Sequence, residues 1–189
     1  MHDDAIENLE VNEATPAFFR LLGVVPAYGR DFVPGDTLPG ASPVVIVTHR
    51  FWQQRLAGDP AAIGRALPSS FDATTDAALR GAIVIGVLPK DFRFAVTGDR
   101  QVWLPLRLPA TSPRTSRSVT VIARLRHDAS ISSASAELRA VFARLVVAYP
   151  TAYASWGVRV EPLRERLGWG AGRDRGLLFG ISALVLLVA

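Results

Sequence analysis

Three histidines, His2, His49 and His127, are the side chains from which a metal site or a general base would first be assembled, and they lie far apart in the chain. None stands in a His-x-x-x-His or His-Glu-x-x-His pattern, the spacing that brings two imidazoles to one helix face. His49 follows Thr48 at the end of an apolar run, the place of a surface or capping residue. Cysteine is absent, which removes disulfides, thiolate nucleophiles and cysteine metal sites together. The Asp3–Asp4 pair sits in a polar terminus, and Asp31, Asp36, Asp59 and Asp91 each lie within two residues of Gly or Pro. Aspartate is favoured there for turn and capping reasons. The stretch "GWGAGR" at 168–173 lacks the G-x-G-x-x-G spacing and is not followed by the Lys of a phosphate-cradling loop, so it reads as a flexible hinge. No Gly-x-Ser-x-Gly elbow is present. No catalytic, cofactor-binding or metal-ligating residue is therefore assigned.

Charge narrows the partners further. Of 21 basic residues all but Lys90 are arginine, against 17 acidic ones, for a net charge of +4. The arginines are scattered, form no dense tract and do not interleave with aromatic rings as a single-strand stacking platform would need, so no nucleic acid is expected. With 189 residues the chain can bury a real core. Apolar residues make up 49% and mean hydropathy is +0.23, with much of the surplus in the final segment. There, "RDRGLLFGISALVLLVA" has no charge from Gly176 to Ala189. Fourteen helical residues reach about 21 Å, short of the roughly 30 Å hydrocarbon core. The opening "MHDDAIENLEVNEATP" has neither the basic nor the apolar region of an export signal.

The elements that must position these residues alternate between strand and helix. Leu9–Val11 reads as the end of a strand, and Thr15–Pro16 caps a short helix, "AFFRLLG", that Gly23 closes. "PVVIVT" at 43–48 is a buried strand, "HRFWQQRLAGDP" a second short helix, "GAIVIGVLP" at 81–89 another strand, and "DRQVWLPL" at 99–106 an edge strand. "SVTVIARL" at 118–125 alternates as a strand. Ala134, Leu138, Val141, Leu145 and Ala148 then form one apolar stripe of a helix of about twenty residues that Pro150 terminates. "WGVRVEPL" at 156–163 completes a β-α-β unit. The expected fold class is α+β: two β-α-β halves of a ferredoxin-like split unit, with a mainly β subdomain inserted at about residues 50–112 and the start of a transmembrane helix at the end.

Six phrases occur in register: "FFRLLGVVPAYGRDF" (18–32), "SPVVIVTHRFWQQRLAGDPAAIGRAL" (42–67), "IVIGVLPKDFRF" (83–94), "VWLPL" (102–106), "VIARLRHDASISSASAELRAVFARLVVAYP" (121–150) and "VRVEPLRERL" (158–167). In order and spacing they resemble the periplasmic core domain of MacB-like (FtsX-like) ABC transporter permeases, most of all the large permeases of acidobacteria encoded without an adjoining ATPase. The resemblance covers about residues 8–189. It implies a core domain over 1–172 and, over 173–189, the start of the second membrane helix, which in that family runs on into "IACANVANLL"-like sequence. Arg164, Arg166, Arg173 and Arg175 would then flank that helix on its outer side, against the positive-inside tendency. It further implies a bacterial inner-membrane permease subunit, with this domain on the periplasmic side. That domain would transmit ATP-driven movement to export or efflux of a substrate. The partners implied are a separate cytoplasmic ABC ATPase subunit, which would bind the ATP, a second permease copy and membrane lipid, with no cofactor in this chain and no enzymatic activity of its own. Two other readings stand beside it: a membrane-tethered envelope interaction module or truncated permease fragment, and an enzyme acting on envelope lipids or glycans, which would need a pocket of converging polar groups.

Overall fold

The computed structural model of the chain describes residues 11–68, 79–94, 100–109, 111–116, 118–166 and 184–188. The chain divides into two compact units, Met1–Leu108 and Pro109–Ala189.

The N-terminal unit is built on a mixed five-stranded sheet. Its strands are β1 (Val11–Ala14), β2 (Tyr28–Gly29), β3 (Val44–Val47), β4 (Ile83–Val87) and β5 (Val102–Pro105), in the order β1-β5-β3-β4-β2. β1 runs parallel to β5, β5 antiparallel to β3, β3 parallel to β4 and β4 antiparallel to β2. All four residues of β3 and of β5 are buried. Helices on both faces explain this: α1 (Phe18–Leu22) puts Phe19 against Ile46 and Trp103, while α2 (His49–Arg55) puts Phe51 and Trp52 among Val45, Val47, Val84 and Leu104. A strand covered on both faces reads as a continuous apolar run rather than an alternating one. The α1 side is aromatic. Phe18 stacks on Trp103 with centroids 5.1 Å apart, and Phe19, Phe92 and Phe94 meet the same indole edge-on.

Local chemistry sets the element ends. Gly23 closes α1 at φ +74°, the left-handed conformation glycine enters without steric cost. Thr48 caps α2 by accepting the amide of Phe51. Thr15 does not cap α1 through its side chain as expected; its carbonyl accepts the amide of Phe18, and the helix starts from Ala17.

The C-terminal unit holds β6 (Thr120–Arg124), α3 (Ile131–Ala148), α4 (Pro150–Tyr153), β7 (Arg159–Pro162), α5 (Leu163–Arg166) and β8 (Leu184–Val188), with sheet order β6-β8-β7. β8 pairs antiparallel with both neighbours, so β6 and β7 run parallel to each other with a strand between them. Ser130 and Ser133 form a reciprocal capping box at the start of α3, each side chain accepting the other's amide at 3.0 Å. Pro150 ends α3 and opens α4, where its missing N–H costs nothing. The half-buried stripe of α3 runs through Ala134, Leu138, Phe142 and Leu145, whereas Val141 and Ala148 are exposed. The stripe thus follows the 3.6-residue period onto Phe142 rather than stepping back to Val141.

Four expectations are corrected. β5 is not an edge strand but lies between β1 and β3, because its Val-Trp-Leu run supplies apolar surface to both faces of the sheet. An N-terminal β-α-β half does not form: β5 separates β1 from β3, and the alternating pair directions leave these two strands antiparallel. The stretch 50–112 is not an inserted body, since it contributes β4 and β5 to the sheet that contains β1 and β3. Finally, Leu184–Val188, expected within a membrane helix, stands as a strand whose backbone groups pair with β6 and β7. A short charge-free run of leucine and valine suits either a buried strand or a helix, and the two flanking strands supply the ladder. Residues 176–183, the 168–173 hinge and the 172/173 boundary lie outside the described residues. Among the described residues no helix is long and apolar enough to cross a membrane.

Candidate functional site

Where β2 and β5 end, two exposed arginines converge on the buried Asp36. Arg30 leaves β2, Asp36 lies in a 3₁₀ turn at Pro34–Thr37, and Arg107 follows β5. Gly29 and Gly86 make the approach of β2 to β4 possible. A Cβ on Gly29, itself at φ +75°, would fall 2.1 Å from the Ile85 carbonyl oxygen, and one on Gly86 would fall 2.5 Å from that of Arg30. This close crossing directs Arg30 toward the turn. Its Nη1 and Nη2 donate to the two oxygens of Asp36 at 2.7 and 3.0 Å, the bidentate geometry that a planar guanidinium favours. The Val33 amide donates to Asp36 Oδ2 at 2.9 Å. Arg107 reaches the same turn from the other side, its Nε and Nη2 donating to the Asp36 carbonyl at 3.2 and 3.0 Å and its Nη2 to the carbonyls of Ala41 and Ser42 at 3.1 Å each.

Electrostatics follow from these bonds. The hydrogen bonds from Arg30 hold the Asp36 carboxyl below the usual carboxylate range, opposing its burial, with the Val33 amide and the charges of Arg30 and Arg107 adding to the effect. The same hydrogen bonds raise the already high Arg30. Neighbouring Asp31 goes the other way: burial pushes it up, against the Phe32 amide it accepts and the charges of Arg20 and Arg30. A carboxylate held ionised by three donors is a poor general base. The constellation is a clamp rather than a catalytic centre.

The other sequence candidates are not brought together. His49 packs edge-on to Trp52, centroids 5.3 Å apart, and Trp52 donates its indole N–H to the Asp59 carbonyl at 2.9 Å. Asp59 caps a 3₁₀ turn by accepting the amide of Ala61, as its neighbours Gly58 and Pro60 suggested. His127 and Asp91 are exposed on separate loops. Asp3, Asp4 and His2 lie outside the described residues. Among the described residues no three His, Asp or Glu side chains could hold one metal ion. Arg107 was missed by sequence reasoning, and no local signal marks it, because its acceptors lie 65 to 71 residues away along the chain.

A pair of buried donors adds detail to the aromatic face. Asn12 and Trp103 are register partners across β1 and β5, both almost fully buried, and among the described residues neither Asn12 Nδ2 nor Trp103 Nε1 has a hydrogen-bond partner. Asn12 Oδ1 receives a long bond from Arg100 at 3.4 Å.

Comparison with known proteins agrees with the resemblance over the phrases up to residue 141. Residues 2–141 match the family described as MacB-like periplasmic core domain, which is 140 of the 189 residues. The chain belongs to that family. Neither a curated protein nor a solved structure matches it. The family is a periplasmic domain of ABC transporter permeases, membrane proteins that work with an ATPase. Its place is the extracytoplasmic side of the inner membrane.

Proposed function

We propose that this chain is the moving extracytoplasmic body of an ABC transporter permease, passing ATP-driven conformational change to a substrate exported or extruded at the outer side of the inner membrane. The family match carries this reading. The two compact units, each with its own sheet and joined at Leu108–Pro109, support it physically, since packed bodies convey displacement where a flexible chain would absorb it. ATP would be bound and hydrolysed by a separate cytoplasmic ATPase subunit, with a second permease copy and membrane lipid as further partners. The sequence resemblance supports a core domain over about residues 1–172, and no cofactor is assigned to this chain.

None of these 189 residues is a cysteine that would compete for a label. Val25 in the N-terminal unit and Val147 in the C-terminal unit are 76% and 84% exposed, so a cysteine at each accepts a spin label without disturbing the core. In the intact permease assembled with its ATPase, the distance distribution between the labels should change between the nucleotide-free and ATP-bound states. An unchanged distribution, with ATP hydrolysis intact, would favour a non-transporting, tethered envelope module instead.

A further inference from the structure

We infer that residues 33–42 form a strap latched by Arg107, able to open from the N-terminal unit without unfolding its sheet. Both ends of the strap are anchored in the core, by Phe32 (3% exposed) and Val44 (6%). Between them only Asp36 is buried, and Val33 and Leu38 are 46% and 59% exposed. Apart from the small, half-buried Ala41, the apolar side chains of the strap are exposed, so little apolar contact holds it down.

Its hydrogen bonds are of two kinds. Internal ones fold it on itself: Asp36 N–H to the Val33 carbonyl, Leu38 N–H to Gly35, Ala41 N–H to Leu38, and the Thr37 hydroxyl to Pro34. Among the described residues, those that leave it go to two arginines: Arg30 to the Asp36 carboxylate, and Arg107 to the carbonyls of Asp36, Ala41 and Ser42. A segment of single local turns that do not persist alone, with few apolar contacts and polar tethers at a few points, opens below the free energy of global unfolding, and its amides exchange once the tethers release. Arg107 also directly precedes Leu108, where the N-terminal unit ends. Tension on the connection to the C-terminal unit reaches this side chain before it reaches β5. That mechanical use rests on the transmission reading above, whereas the latch itself does not.

Hydrogen–deuterium exchange on the full chain tests the latch. In Arg107→Ala, peptides covering 33–42 should exchange at least about tenfold faster, as expected for losing charge-assisted bonds to three carbonyls. Peptides covering β3, β4 and β5 should keep their wild-type rates. Arg107→Lys should recover only part of the protection, because a single ammonium head lacks the fork that serves several acceptors. Unchanged strap exchange in Arg107→Ala overturns the inference. So does acceleration of strap and sheet together, or failure of that variant to fold, since both make Arg107 a support of the whole unit. A latch seen by exchange together with immobile labels in the permease would refute the transmission reading and leave the latch standing.

Discussion

Gly86→Ala should be among the most damaging single-atom additions in the N-terminal unit, and the size of the effect can be worked from its surroundings. The new Cβ would lie 2.5 Å from the Arg30 carbonyl oxygen and 3.5 Å from Ile46 Cγ1. Ordinary contact begins near 3.4 Å, so roughly 0.9 Å of separation must be found between backbone atoms on two strands. Overpacking of this kind costs about 1–3 kcal/mol. Moving β2 away also strains the bonds from Ala27 N–H to the Val87 carbonyl and from Arg30 N–H to that of Ile85, both 2.8 Å, at about 1 kcal/mol each. The sum is about 3–5 kcal/mol, a large part of the 5–15 kcal/mol that holds a typical domain together. In urea, with a slope of about 1–3 kcal/mol/M, the midpoint should fall by about 1–5 M. Gly23→Ala is the contrast: unlike Gly86 it sits at φ +74°, but nothing lies within 4 Å of the added carbon, so only about 1 kcal/mol of backbone strain and no clash is expected. Because Arg30 moves with β2, Gly86→Ala should also speed exchange in the strap. A midpoint for Gly86→Ala within experimental error of Gly23→Ala would refute the close-approach argument.

Asp36→Asn should destabilise by about 1–2 kcal/mol at pH 7, discounted because Arg30 is half exposed. As the folded Asp36 is held below its unfolded range, its contribution exists above about pH 4 and is lost as pH falls through the folded value, so the gap to wild type should close in acid. Asp31→Asn should show the opposite sign: burial raises this carboxyl, its ionised form opposes folding at neutral pH, and the variant should be the more stable there, with the difference vanishing as pH falls through the raised value; urea titrations at several pH values read both. Trp103→Phe should cost under about 1.5 kcal/mol, because the lost volume is offset by removing a buried N–H that has no partner among the described residues, whereas Phe19→Ala should cost about 3–5 kcal/mol; thermal unfolding separates them. Ser130→Ala should cost about 1 kcal/mol and lower the helical circular dichroism of the C-terminal unit on heating, with no effect on exchange in the N-terminal sheet.

What the sequence determined by itself is local in origin. Runs such as Val44–Val47, the glycine closing α1, the threonine capping α2 and the serines opening α3 specify their elements through side-chain shape and hydrogen bonds within a few residues. The family was legible for the same reason, because it is carried by six ordered phrases rather than by any one site. Tertiary structure alone decided the strand order. Whether β5 lies at an edge or between β1 and β3 depends on which apolar faces meet, and a Val-Trp-Leu run is compatible with both. The same holds for Leu184–Val188, where an uncharged apolar run takes the strand form because β6 and β7 present backbone groups to pair with it. The clamp was least legible of all: Arg30, Asp36 and Arg107 meet only when β2 and β5 are laid into one sheet, and neither composition nor spacing encodes a contact that spans 71 residues.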